Sequence, residues 1–313
     1  MNIFIYRNLG WRLAFFYLTN LMGLFFFFKR REKWQIRKAL ESVFNMGIAK
    51  AELRKLIRKV FRGLVFHYYE KLFNAFSTGQ VLRAFFESHV KGEGLAEIDR
   101  ALARGKGALL ITGHYGGVEF IPGFLAFCNY PVSIVAKFSS NHLRKVSKQK
   151  AKEFGTRIID ADQTPNVMRA IFNDLKKNRI VITMCDEIEE WRPSRRDRTS
   201  FLGKPICLDR TIEILLRRGD AAVVFGIMHR RENQKYRFIV NSLEEIAAEL
   251  KRLGKLSLGE VVLKHMEQFI YKHPEEWYQW KKALELQAVP IVANSLEMPV
   301  PRLMVETAYQ KAA

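Results

Sequence analysis

Residues Gly107 to Phe120 read GALLITGHYGGVEF, and the rest of the chain is ordered around them. Ala108-Leu109-Leu110-Ile111 is a short apolar run with the character of a buried strand, and Gly113 ends it. His114 follows at once, then Tyr115, Gly116, Gly117, Val118 and Glu119. A parallel strand that hands over to a loop and helix brings backbone N–H groups and side chains together, which is where chemistry commonly sits. His114 is the candidate base and Glu119 its candidate orienting carboxylate. On one regular helix, residues five apart point about 140° away from each other. The two can therefore meet only through a bend, which Gly116-Gly117 would permit.

Downstream, short strands alternate with helices. Val132–Ala136 reads as a strand, Asn141–Phe154 as a basic helix stopped by Gly155, and Arg157–Ile159 as a strand. Asn166–Lys177 reads as a helix and Arg179–Met184 (RIVITM) as a strand, with Asp186 just past its end. Glu187–Pro205 is charged and reads as irregular. Asp209 caps a helix over Arg210–Arg218, Ala221–Met228 is a buried strand, and Tyr236–Val240 alternates like a half-exposed one. Leu258–Tyr271 is a helix capped by Ser257, followed by a Trp- and Tyr-rich element from Pro274 to Leu286. Upstream, Lys50–Phe76 carries an apolar stripe at three- and four-residue steps, with a second helix near Val81–Val90. This order predicts an α/β fold with a mainly parallel central sheet flanked by helices, behind an N-terminal helical section. The divisions expected are residues 1–34, 35–90, 91–288 for the α/β domain, and a loosely ordered tail over 289–313.

A net charge of +20 on 313 residues calls for an anionic partner, and a 48% hydrophobic fraction excludes a disordered chain. Cys128, Cys185 and Cys207 form no metal-ligand pattern and read as reduced core residues; no metal site is expected. Leu13–Phe28, LAFFYLTNLMGLFFFF, is uncharged and would run about 24 Å as helix, short of the roughly 30 Å hydrocarbon core. Lys29, Arg30, Arg31 and Lys33 follow it, the flank expected of a membrane anchor that keeps the remainder in the cytoplasm. There is no G-x-S-x-G elbow, phosphate-binding G-x-x-x-x-G-K-[ST] loop or H-E-x-x-H zinc motif. No zinc finger, basic zipper or RNA-stacking motif is visible, so nucleic acid is not the expected partner. A non-enzymatic basic membrane-surface protein would explain the charge, but it leaves the glycine-wrapped His-Glu pair without a purpose.

HYGGVE, His114 to Glu119, resembles the H-x4-[DE] motif of the glycerolipid and lysophospholipid acyltransferase superfamily, and in particular the bacterial lipid A biosynthesis (lauroyl/myristoyl) acyltransferases. The likeness continues through Asp162, the strand-end Asp186-Glu187, SFLGKP at Ser200–Pro205, VVFGIMHRR at Val223–Arg231 and EEWYQW at Glu275–Trp280. It departs at Lys137-Phe138 and at Asp209-Arg210.

The resemblance implies acyl transfer from a thioester to a hydroxyl of a lipid A precursor. Another lysophospholipid or glycolipid is the alternative acceptor. It implies His114 as general base, Glu119 holding the imidazole, and the Gly116 and Gly117 N–H groups receiving the oxyanion. Phosphates on a glycolipid would fall to Arg195, Arg196, Arg198 and Lys204, in a substrate-binding loop organised by Asp186. No cofactor is implied; the co-substrate is carried on acyl carrier protein or CoA, at the cytoplasmic face of the bacterial inner membrane.

Overall fold

The computed structural model of the protein describes residues 10–44, 48–138, 140–188 and 193–285. Seven strands form the central sheet: β1 (Val90–Glu93), β2 (Ala108–Thr112), β3 (Val132–Ala136), β4 (Arg157–Asp160), β5 (Ile180–Met184), β8 (Ala222–Arg230) and β9 (Tyr236–Ser242). Their order is β1-β9-β8-β2-β5-β3-β4, with every pairing parallel except β8 with β9. The expected mainly parallel α/β sheet is thus what the chain forms.

All five residues of β2 are buried, because both faces of the sheet are covered. Leu109 and Ile111 point into one apolar layer, and Ala108 and Leu110 into the other. The first layer is closed by α8 (Val167–Lys176), α9 (Arg210–Arg218), α10 (Leu243–Leu250) and α11 (Leu258–Lys272), through Ile171, Leu215, Ile246 and Met266 among others. The second is closed by α4 (Gly79–His89), α5 (Leu95–Ala103) and α6 (Ile121–Phe127), through Phe86, Ile98 and Phe124.

Caps follow the sequence closely. Asp209 accepts from the Thr211 N–H, and Ser257 forms a capping box with Glu260. Gly155, at φ 67°, ends α7 (Asn141–Phe154) in the left-handed region.

The N-terminal section is three helices, α1 (Gly10–Phe28), α2 (Arg30–Phe44) and α3 (Lys50–Phe76). α1 rests on α3, with Phe26 edge-on to Phe61 at 4.9 Å and Leu18 packed with Val65 and Tyr69. Its other side is exposed at Leu13, Phe16, Leu24, Phe27 and Phe28, with Trp34 of α2 beyond. None of the described helices is long and apolar enough to cross a membrane.

Two expectations are corrected. Most of the charged segment read as irregular, Glu187–Pro205, is an antiparallel hairpin of β6 (Pro193–Phe201) and β7 (Lys204–Asp209). Its apolar anchors, Phe201, Leu202, Ile206 and Leu208, fall at the turn and in β7, while Ser194–Ser200 of β6 has no apolar residue and so shows no strand period. The edge strand β1 carries only four residues and α10 only eight, and both passed unread. The expected tail beyond Val289 lies outside the described residues.

Candidate active site

β2 and β5 lie side by side in parallel register, with Thr112 opposite Met184. Two residues further on, that register brings His114 beside Asp186 past the C-terminal ends of both strands. His114 Nδ1 is 2.9 Å from Asp186 Oδ1, and the His114 backbone N–H lies 3.0 Å from both carboxylate oxygens. The Trp277 indole N–H donates to Asp186 Oδ2 at 2.7 Å. Asp186 and Trp277 are both fully buried, so this carboxylate is held from three directions.

Burial favours the neutral acid, yet the charge of His114, its hydrogen bonds and the Trp277 donor hold the Asp186 carboxyl below its ordinary range. Burial likewise works to lower the His114 pKa, but the Asp186 carboxylate and the nearby charge of Glu187 outweigh it and raise the imidazole. An ionised Asp186 only accepts, so Nδ1 carries the proton and Nε2 is the basic nitrogen. Nε2 lies 3.4 Å from Oε1 of the partly exposed Glu187.

This geometry revises the roles expected from the sequence. Asp186, not Glu119, is the carboxylate on the imidazole. Glu119 sits half-buried in a 3-10 turn, Val118–Phe120, and makes no hydrogen bond or ion pair with His114; its charge acts on the Tyr278 phenol. Nor does Asp186 face a substrate, being sealed from solvent.

The oxyanion role of Gly116 and Gly117 also fails. Gly116 N–H donates to the Glu276 carbonyl and Gly117 N–H to the Met228 carbonyl, each at 2.9 Å. Gly116 has φ 55°, and a Cβ there would fall 2.0 Å from the Met228 oxygen, so the close approach requires glycine.

Of the basic residues, Arg198 is exposed on β6, and Lys204 donates to the Ala283 carbonyl at 3.3 Å; neither contacts His114. The side chains of Arg195 and Arg196 lie outside those described.

Several residues around the imidazole were not anticipated. Tyr278 stands edge-on to His114 with ring centroids 5.5 Å apart, and its N–H donates to the His114 carbonyl at 3.2 Å. His67 of α3 stacks on the Tyr278 ring, with centroids 3.6 Å apart. Lys282 lies close enough for its charge to act on His114. Glu70, also on α3, is fully buried; it takes two bonds from the Arg230 guanidinium, at 2.7 and 2.9 Å, and one from the Tyr236 hydroxyl at 2.7 Å. Breaking such a buried pair from one side costs about 3–5 kcal/mol. An acid in the interior of Lys50–Phe76, whose other acid, Glu52, sits in the first turn, was the available signal.

A basic imidazole steadied by a buried carboxylate, at the strand ends of a mostly parallel sheet, is the arrangement of a proton-abstracting transferase or hydrolase. The sequence model of the bacterial lipid A biosynthesis acyltransferases matches residues 3–284, and the chain belongs to that family. It is an acyltransferase of lipid A biosynthesis in the general sense that the family defines. No curated protein gives a significant match.

Proposed function

We propose that the protein transfers a fatty acyl chain from a thioester, carried on acyl carrier protein, to a hydroxyl of a lipid A precursor. In this reading His114 Nε2 takes the hydroxyl proton as the oxygen attacks the thioester carbonyl. The new C–O bond forms, and the carbonyl becomes a tetrahedral oxyanion. Collapse of that intermediate breaks the C–S bond, and the imidazolium returns its proton to the departing thiolate. Asp186 stabilises the imidazolium and fixes its tautomer without taking up the proton.

With the Gly116 and Gly117 N–H groups engaged, the charge of Lys282, which acts on His114, is the candidate to stabilise the developing oxyanion. CoA is the second candidate carrier, since it shares the anionic character that a +20 chain attracts. The exposed apolar side of α1, followed by exposed Lys29, Arg30 and Arg31, supports seating the protein on the anionic cytoplasmic surface of the inner membrane.

The observation that carries the reading is the His114–Asp186–Trp277 chain, joined to the family match. The test uses the full chain in mixed micelles with acyl carrier protein thioester and a lipid A precursor. His114→Ala is expected to lower the rate at least about 10²-fold. Equal rates for parent and variant would sink the proposal. Mass spectrometry of lipids from cells with and without the gene identifies the acceptor.

A further inference from the structure

We propose that His229, His273 and Glu276 form a binding site for a divalent transition-metal ion, zinc foremost, beside the His114 loop. His229 is the penultimate residue of β8, His273 caps the C-terminus of α11, and Glu276 closes the following turn. One ring nitrogen from each histidine and a carboxylate oxygen of Glu276 all lie within 4.8 Å of one another.

His229 Nδ1 is 2.9 Å from Glu276 Oε1. Two adjacent donors on one tetrahedral ion lie about 3.4 Å apart when each bond is about 2.1 Å, so a shift of about half an ångström brings this pair onto one ion. A shared proton could also hold that pair. What a proton does not require is the third donor, His273, its ring centred 4.5 Å from that of His229.

Two imidazoles and one carboxylate suit zinc, whereas magnesium and calcium prefer oxygen ligands throughout. Outer contacts of the kind that orient metal ligands are present on Glu276 and His273. Glu276 Oε2 accepts the Arg230 N–H at 2.8 Å, and Glu275 Oε1 lies 3.6 Å from His273 Nδ1. The Glu276 and His229 side chains are 4% and 12% exposed while that of His273 is 40% exposed, so the ion would enter and exchange water on the His273 side.

The site joins the two segments that hold the catalytic loop in place. Met228, next to His229, accepts the Gly117 N–H, and Glu276 itself accepts the Gly116 N–H. A bound ion would therefore brace the loop from behind without touching substrate.

The test titrates Zn²⁺ alone, against a chromophoric chelator, into chelator-stripped full-length protein in detergent. One zinc per chain is expected, together with a melting temperature raised by roughly 5 °C at saturation. His273→Ala, at a partly exposed position, should lose at least tenfold in affinity and the thermal rise. His142→Ala, on exposed α7, should lose neither. Zinc binding no tighter than in a denatured control, or unchanged in His273→Ala, overturns the proposal. X-ray absorption of the zinc-loaded parent decides independently of any variant: nitrogen and oxygen neighbours support the site, and sulfur neighbours overturn it.

Discussion

The Trp277 indole N–H reaches Asp186 Oδ2 at 2.7 Å, so the carboxylate that steadies His114 is itself fixed from near the end of the described chain. Two distant segments thereby converge on one buried side chain. Asp186 is acceptor to the His114 backbone, to its ring and to the indole together.

Asp186→Asn should lower the rate about 10²–10⁴-fold and move the acid limb of the pH–rate profile downward. The imidazole stands above its ordinary value of 6.5 because of that carboxylate, and the proposed proton abstraction needs the neutral ring. Below the raised pKa the parent loses activity; without the carboxylate, protonation occurs at lower pH. Glu119→Gln, with no hydrogen bond or ion pair to the ring, should leave the limb in place. A limb that moves in Glu119→Gln and stays in Asp186→Asn would reverse the two roles.

Trp277→Phe removes a donor from a fully buried carboxylate. Beyond its packing loss, the unmet acceptor should cost about 1–3 kcal/mol in urea unfolding. A loss below about 0.5 kcal/mol would mean that the indole bond contributes little.

His265 is buried against Phe225 and Phe269, and neither of its ring nitrogens has a partner. Burial, with a smaller effect from Lys272, pushes its pKa down to about 4 from the ordinary 6.5. The unfolded chain therefore takes the proton first. Stability is full above pH 6.5 and falls through that value toward pH 4, by up to about 3 kcal/mol. His265→Phe should flatten stability across this window, measured by denaturant unfolding at several pH values. An unchanged slope would assign the acid sensitivity to other groups.

Phe16 and Phe28 are 68% and 74% exposed on α1. Placing Asp at both should lower partition into anionic vesicles at least tenfold with little change in melting temperature, read by co-sedimentation. Unchanged partition would assign membrane contact to another face.

Much of this architecture was legible because local rules and tertiary structure agree. The apolar runs at Ala108 and Ile180, the caps at Asp209 and Ser257, and the stop at Gly155 each act within a few residues. His114 stands out in the sequence for the same reason, one step past a glycine-ended strand. Its partner was misassigned because the choice depends on strand register. Glu119 is five residues from His114 in sequence, while Asp186 is 72 away yet adjacent once Thr112 aligns with Met184. The glycine N–H groups were misjudged similarly, since their acceptors at Met228 and Glu276 come from remote segments.

A Cβ at Gly63 of α3 would lie 1.8 Å from the Glu275 carbonyl oxygen, so the helix meets that turn backbone to backbone, with no cushion of side chains. The same helix carries Phe61, Val65 and Tyr69 under α1, and the turn leads directly to Trp277 and Tyr278. Greasy outer helix and reactive imidazole are therefore parts of one stiff bracket. If that helix rests on a bilayer, the height of His114 above the lipid headgroups is set by the protein's own skeleton, and a bulkier residue at position 63 would tilt the ring away from its substrate while leaving every catalytic group intact.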